Sequence, residues 1–97
     1  MKDFKHKEPV FFSSLLFDFL GIHGAARLTM KSKVEYLRMT YEEIKWRYRN
    51  ATICKEGLFL EEFQYIQFCL NDEIFLFLFD VDNICFRAYS YKDILLN

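Results

Sequence analysis

The stretch from Phe63 to Tyr91 constrains the fold more than any other part of the chain, because three strand-like runs follow one another with turn signals between them. Residues 63–70 alternate between apolar and polar, Asn71-Asp72 has the composition of a two-residue turn, and residues 73–79 form an apolar run. Residues 80–83 (DVDN) indicate a second turn, and residues 84–91 alternate again. The pattern predicts a three-stranded antiparallel meander.

The middle run of this meander is apolar on both of its faces. Ile74, Leu76 and Leu78 project to one side of a strand, and the three phenylalanines between and after them project to the other. Such a strand is satisfied only where both faces of the sheet are covered, so helices or a second copy of the chain must pack on each side. Phe75, Leu76, Phe77 and Leu78 are therefore expected to be buried.

Helical periodicity precedes the meander. Pro9 suits the first turn of a helix, and apolar residues then recur at helical spacing at Phe12, Leu15, Leu16, Phe19 and Ile22. Ser32 with Glu35 resembles a capping box and predicts that a second helix begins there. Thr40 with Glu43 resembles another, so this helix either continues or breaks and restarts at Thr40. A strand over 44–48 is the alternative, and the structure of residues 25–31 stays open between short strand and loop.

The remaining segments complete a single α+β domain over 1–97. Residues 52–54 suggest a short fourth strand, Glu56-Gly57 a turn, residues 1–8 a flexible N-terminus and residues 94–96 a terminal helical turn. The expected fold is two N-terminal helices packed on an antiparallel sheet of three to four strands.

Charge is unevenly distributed along a chain of formal net charge −1. Residues 1–55 carry eleven Lys and Arg against six Asp and Glu, whereas residues 56–97 carry two against eight. The two halves either attract each other within the fold, which we favour, or present basic and acidic faces to different partners.

No catalytic, metal or cofactor motif stands out. The two histidines, His6 and His23, have no nucleophile at a telling spacing, and Asp80 with Asp82 fits a hairpin turn better than a cation loop that lacks its glycine and distal glutamate. Three cysteines match no zinc or disulfide framework and favour free thiols in a reducing compartment. We therefore predict a cytoplasmic, non-enzymatic protein without metal, cofactor or membrane anchor.

Binding of another macromolecule is the predicted function, since twelve Phe and six Tyr exceed what a thin two-layer core needs. We expect a protein-binding module, by analogy of size and composition an inhibitor or adaptor of the kind that phages and mobile elements encode against host or defence proteins. A second copy of the chain is an alternative partner. Nucleic acid is the runner-up, since cations and aromatics interleave over 45–49.

Two groups of contact residues are predicted. Trp46, Arg47 and Arg49 come first, because Trp, Tyr and Arg dominate interface energies, and Tyr48 lies between them. An acidic rim is the alternative face, for a partner that is basic or that is itself a nucleic-acid-binding protein. The aromatics expected to compete for the surface are Phe11, Phe12, Phe17, Trp46, Tyr48, Tyr89 and Tyr91. The acidic rim consists of Glu61, Glu62, Asp72 and Asp82.

Overall fold

The computed structural model describes the backbone of residues 9–92 and the side chains of residues 12–92. It is an α+β fold in which a five-stranded antiparallel sheet carries helices on both faces. The predicted flexible N-terminus (1–8) and terminal helical turn (94–96) lie outside the described residues. The helices are α1 (Pro9–Leu20), α2 (Gly24–Leu28) and α3 (Tyr41–Arg47), with a 3₁₀ turn at Val34–Tyr36.

The strands are β1 (Lys31–Ser32), β2 (Thr52–Phe59), β3 (Phe63–Leu70), β4 (Glu73–Phe79) and β5 (Cys85–Lys92), in the spatial order β1-β5-β4-β3-β2. The predicted meander is confirmed as β3, β4 and β5. The strand count of three to four was too low, because β1 adds a fifth strand that pairs Lys31 with Ser90 and Ser32 with Tyr89. The predicted turn at Glu56-Gly57 is wrong, since both residues lie inside a continuous β2.

The turns of the meander follow their local chemistry. Asn71 and Asp72 have φ of 50° and 68°, the left-handed pair that a two-residue turn between twisted strands requires. At the next turn the Asp80 carboxylate accepts hydrogen bonds from the backbone N–H groups of Asp82 (2.9 Å) and Ile84 (3.0 Å). That carboxylate is therefore committed to shaping the turn, as the sequence interpretation favoured.

The apolar residues of β4 divide between two cores. Ile74, Leu76 and Leu78 pack under α1 and neighbouring side chains, while Phe77 and Phe79 pack under α3. Leu76, Phe77 and Leu78 are fully buried, and Phe75 is half-buried. Covering both faces of the sheet explains how a short chain buries so many aromatic rings.

The expected surplus of surface aromatics is correspondingly smaller. Phe12 and Tyr91 are buried, Phe17 and Tyr89 are half-buried, and the Phe11 side chain lies outside those described. The expectation assumed a two-layer core, whereas the molecule has three layers and two cores. Trp46, at 66% exposure, is the member of the predicted set that stays on the surface.

Only one of the two capping-box predictions is correct. Ser32 lies in β1, where the next residue, Lys33, donates its N–H to Ala88 O at 2.8 Å, so no α-helix begins there and only the 3₁₀ turn Val34–Tyr36 follows. Thr40 does begin a helix: its hydroxyl accepts from Glu43 N (3.1 Å), and the Glu43 carboxylate accepts from Thr40 N (2.8 Å). Pairing with a distant strand thus overrides a local helix signal at the first site.

Strand β2 is the outermost strand on its side of the described sheet, and it is irregular. Its register against β3 shifts between Ile53 and Lys55, which leaves Cys54 as the extra residue of a bulge. The Cys54 Sγ donates to Gln67 O at 3.5 Å, so the thiol points back over the sheet although the residue as a whole is exposed.

Candidate protein-binding surface

Helix α3 is attached to the sheet at its N-terminal end. The segment ahead of it is tied to the β4–β5 turn: Cys85 N donates to Met39 O (2.8 Å) and Tyr41 N donates to Asn83 O (3.0 Å). The Thr40 capping box then closes the first turn of the helix. A seven-residue helix gains little from its own hydrogen bonds, so these attachments set its position.

The inner side of α3 anchors it to the core. Ile44 is fully buried, and the ring of Tyr48 stacks on Phe68 with centroids 5.2 Å apart and planes 14° from parallel. The Tyr48 hydroxyl donates to the Tyr36 hydroxyl at 2.9 Å. Burial of the ring, and next the hydrogen bond to Tyr36, raise the pKa of Tyr48 well above its usual value.

The outer side of α3 presents a tryptophan paired with an arginine. The Arg49 guanidinium lies 3.9 Å from the centre of the Trp46 ring, and its Nη1 donates to Trp46 O at 2.9 Å. This contact spreads a planar cation over an indole that is 66% exposed. Both groups are therefore preorganised, and a partner that covers them has less side-chain entropy to remove.

Other residues extend this surface on either side. The Arg47 guanidinium lies 5.6 Å from the Tyr36 ring centre, and Lys45 Nζ lies 5.2 Å from that of Tyr41. A shallow recess of about 400 Å³ lies along the helix. Its lining residues, which we call the α3 surface, are Met39, Glu43, Trp46, Arg47 and Arg49.

The structure brings three of the four predicted contact residues on this segment to the surface. Trp46, Arg47 and Arg49 are exposed, but Tyr48 is 7% exposed and faces the sheet. Tyr48 was predicted as a contact together with its neighbours, but the helical turn places it one turn below Ile44, on the inner side of α3. Its role is to hold the α3 surface in place.

The predicted acidic rim does not form one face. Glu61 and Glu62 lie in the β2–β3 turn and Asp82 in the β4–β5 turn, which are at the same end of a meander. Asp72 lies in the β3–β4 turn at the other end, roughly 25 Å away along an eight-residue strand. All four side chains are exposed, but only three of them share an end of the sheet.

The two oppositely charged halves of the chain are not joined by ion pairs between the described residues. The pairs found there, Arg27 with Asp18 and Lys33 with Glu35, each link residues of the first half. The attraction between the halves that we favoured is therefore not carried by ion pairs in this part of the chain. The cations of α3 remain available at the surface.

Several exposed apolar residues were not predicted from the sequence. Leu15 and Phe19 belong to the apolar residues at helical spacing in the first helix but are 42% and 53% exposed. Phe19 lies over the rings of Phe59 and Tyr65 at centroid distances of 5.3 and 5.8 Å, at the margin of the sheet. Six more leucine, isoleucine and valine side chains are between 42% and 87% exposed, namely Leu28, Val34, Ile53, Leu58, Leu60 and Val81.

The described residues do not assemble a metal site. Among residues 9–92 no three His, Cys, Asp or Glu side chains come close enough to share an ion. His23 precedes α2 and is exposed, and His6 lies outside the described residues. In the same part of the chain no helix is long and apolar enough to cross a membrane.

Comparison with known proteins adds no relative. No protein-family model matches the chain, and no curated protein or solved structure is similar enough to count as a match. Function has to be argued from the geometry of the molecule.

Proposed function

We propose that this chain is a non-catalytic protein-binding module whose α3 surface contacts the partner. The observation that carries the proposal is the exposure of Trp46, which keeps 66% of its surface in water while α3 is otherwise anchored by buried rings. Trp and Arg are over-represented among the residues that dominate binding energies, and here Arg49 already lies on the indole.

The chemistry of the α3 surface favours a partner with an acidic, partly apolar contact region. Arg47 and Arg49 have their guanidinium groups on aromatic rings rather than on carboxylates, and Glu43 is engaged in the helix cap. An incoming carboxylate can accept two parallel hydrogen bonds from either arginine, while an apolar side chain covers Trp46. The arginine charges then hold the partner at the edge of the contact, and burial of the Trp46 ring holds it at the centre.

A small inhibitor or adaptor of a host or defence protein, of the kind that phages and mobile elements encode, is the form of this function that we propose. This form of the proposal is based on the small size of the single domain. It is also based on a surface that, among the described residues, offers binding groups but no assembled catalytic group. The three cysteines are free, which supports a reducing compartment such as the cytoplasm.

Nucleic acid is the second candidate, favoured by the interleaving of exposed cations with Trp46 over 45–49. Lys45 and Arg47 also lie in the last turn of α3, where a cation stabilises the helix dipole, so their charge has a structural use as well. Binding to phosphates must weaken steeply as salt rises, whereas binding to a protein keeps the part that comes from burial of Trp46, which salt does not screen.

The test is affinity capture from the native host followed by quantitative mass spectrometry, with the wild-type chain, the double variant W46A/R49A and the control variant L28A. Leu28 is 87% exposed and lies in α2, on the layer opposite α3. We expect the control to recover the same partner as wild type. The double variant should bind at least about thirtyfold more weakly, the loss expected from removing one strong interface anchor of about 2 kcal/mol.

Two results would contradict the proposal. Equal capture by wild type and W46A/R49A, with both chains shown to be folded by circular dichroism, would place the contact elsewhere. A gel shift with DNA or RNA that is lost in W46A/R49A and in moderate salt would favour the nucleic-acid function instead. Chromatography of the purified chain at several concentrations would show whether the partner is a second copy.

A further inference from the structure

A second polar site lies on the opposite face of the sheet from α3, in a groove between α1 and the β1–β5 edge. Its volume is about 520 Å³, within the range of small-ligand sites. Three serine hydroxyls from two elements open into it: Ser13 and Ser14 from α1, and Ser32 from β1. We call it the Arg87 groove, after one of the arginines that line it.

Arg87 is a half-buried cation with unused hydrogen-bonding capacity. Its Nη1 donates to Phe86 O at 3.1 Å, and its guanidinium lies 5.5 Å from the Phe86 ring centre and 5.7 Å from that of Phe12. A guanidinium has five N–H donors, and the other four meet no protein acceptor within the described chain. No carboxylate pairs with it there either. A partly desolvated cation in this position is stabilised by an anion from outside.

The surroundings of Arg87 reinforce this polarity. Arg27 also lines the groove, held by an ion pair to Asp18 and by a hydrogen bond from its Nε to Ile22 O at 3.0 Å. Ser13 Oγ and the Tyr89 hydroxyl share a hydrogen bond of 2.8 Å in which either oxygen can donate. None of the residues that line this groove is acidic. Arg87 and the hydroxyl donors are therefore gathered without a carboxylate on the wall, while Arg27 is already paired with Asp18.

The rest of the wall is apolar. Phe17 and Phe86 are half-buried and line the groove beside the arginines, together with Leu37 after the 3₁₀ turn and Ala88 of β5. A ligand that satisfies the whole groove thus combines an oxyanion of several acceptor oxygens with a flat apolar body. A phosphate monoester offers three such oxygens, one more than a carboxylate, to the guanidinium and the hydroxyls.

We propose that the Arg87 groove binds an aromatic phosphate monoester, with the phosphate on Arg87 and the serine hydroxyls and the ring against Phe17 and Phe86. The same chemistry is carried by a nucleoside monophosphate and by a phosphotyrosine side chain. This site is separate from the α3 surface, and its occupancy does not depend on the protein-binding function of that surface.

The experiment is a titration of the isotope-labelled full chain, followed by amide chemical shifts, with phenyl phosphate as the probe. Shifts are expected at Ser13, Ser32, Arg87 and Tyr89, with an affinity at least about tenfold above that for inorganic phosphate, because the ring adds apolar contact. Phenol should cause no shift at these amides. Adenosine monophosphate and a phosphotyrosine peptide, titrated separately, then show which source of the group fits better.

Three variants test whether Arg87 and Ser32 bind the phosphate. R87M keeps an unbranched apolar stem but removes the charge and the donors, and it should weaken phenyl phosphate binding about tenfold or more. K55M removes an exposed charge from β2, at the far edge of the sheet, and should leave the affinity unchanged. S32A covers the case in which R87M does not fold, since Ser32 is exposed and lies at the groove without a side-chain hydrogen bond in the described chain; it should weaken binding severalfold.

The proposal is overturned if phenyl phosphate shifts no groove amide, or if it shifts the α3 amides instead. Equal affinities for phenyl phosphate and inorganic phosphate would also overturn it, and so would an S32A chain that binds as wild type does.

Discussion

Truncation of Phe77 to alanine tests the two-core architecture most directly. Phe77 is fully buried in the middle of β4, and its ring makes aromatic contacts with Tyr36 (centroids 5.3 Å apart), Tyr48 (5.4 Å) and Phe68 (6.2 Å). Phe-to-Ala changes in cores cost about 3–5 kcal/mol, and aromatic pairs add about 0.5–1.5 kcal/mol beyond burial. With three ring partners, we expect about 4–5 kcal/mol for F77A.

That loss is large for a domain of this size. At about 0.05–0.15 kcal/mol per residue, 97 residues give a free energy of unfolding of about 5–15 kcal/mol. With an m-value of about 1.5 kcal/mol/M, the urea midpoint should fall by about 3 M, which circular dichroism or tyrosine and tryptophan fluorescence will record.

The matched control is L58A on β2, whose side chain is 58% exposed, and it should change stability by no more than about 0.5 kcal/mol. A loss below about 1.5 kcal/mol for F77A, with unchanged m-value, would show that the α3 side of the sheet is not packed as described. An F77A chain that remains folded but loses the α3 surface would instead localise the damage to that layer.

Two further outcomes are expected. T40A removes the hydroxyl that caps α3 and should cost about 1 kcal/mol by urea denaturation, whereas S32A, at the rejected capping site, should cost much less; equal losses would contradict the helix start at Tyr41. For Cys54, burial and then the neighbouring Cys69 raise the pKa to about 12, so at pH 8 its thiolate fraction is roughly a thousandfold below that of an ordinary thiol. Iodoacetamide should label it slowly in the folded chain, tenfold faster for each unit of rising pH, and rapidly in denaturing urea; equal rates in folded and unfolded chains would refute the inward-pointing thiol.

The meander could be predicted because its signals are local. Alternation fixes which side chains share a face, and Asn71-Asp72 has the turn chemistry that the observed left-handed backbone needs. Both β3 and β4 accordingly begin and end at the predicted residues. Exposure of Trp46 followed from the same kind of argument, since helical spacing separates it from Ile44 and Tyr48.

What could not be predicted depends on partners distant in sequence. Strand β1 is two residues long and exists because Lys31 meets Ser90, a pairing with no local pattern. The Arg87 groove is likewise assembled from residues of α1, α2, β1 and β5, so no spacing between Ser13, Ser32 and Arg87 in the sequence predicts it. The acidic rim failed for a related reason, because sequence shows that a turn is acidic but not at which end of the sheet it lies.

The bulge at Cys54 has a consequence for how the molecule behaves in concentrated solution. An open sheet edge invites other chains to add strands, and β2 is eight residues long with apolar side chains exposed at Ile53 and Leu58. The extra residue breaks the in-and-out alternation, so a straight incoming strand can follow the edge in phase only over 55–59. Lys55 and Glu56 place both signs of charge in that short run. The edge thus carries its own protection against fibre-like stacking, and deleting Cys54 to restore regular alternation is expected to make the chain more prone to aggregate.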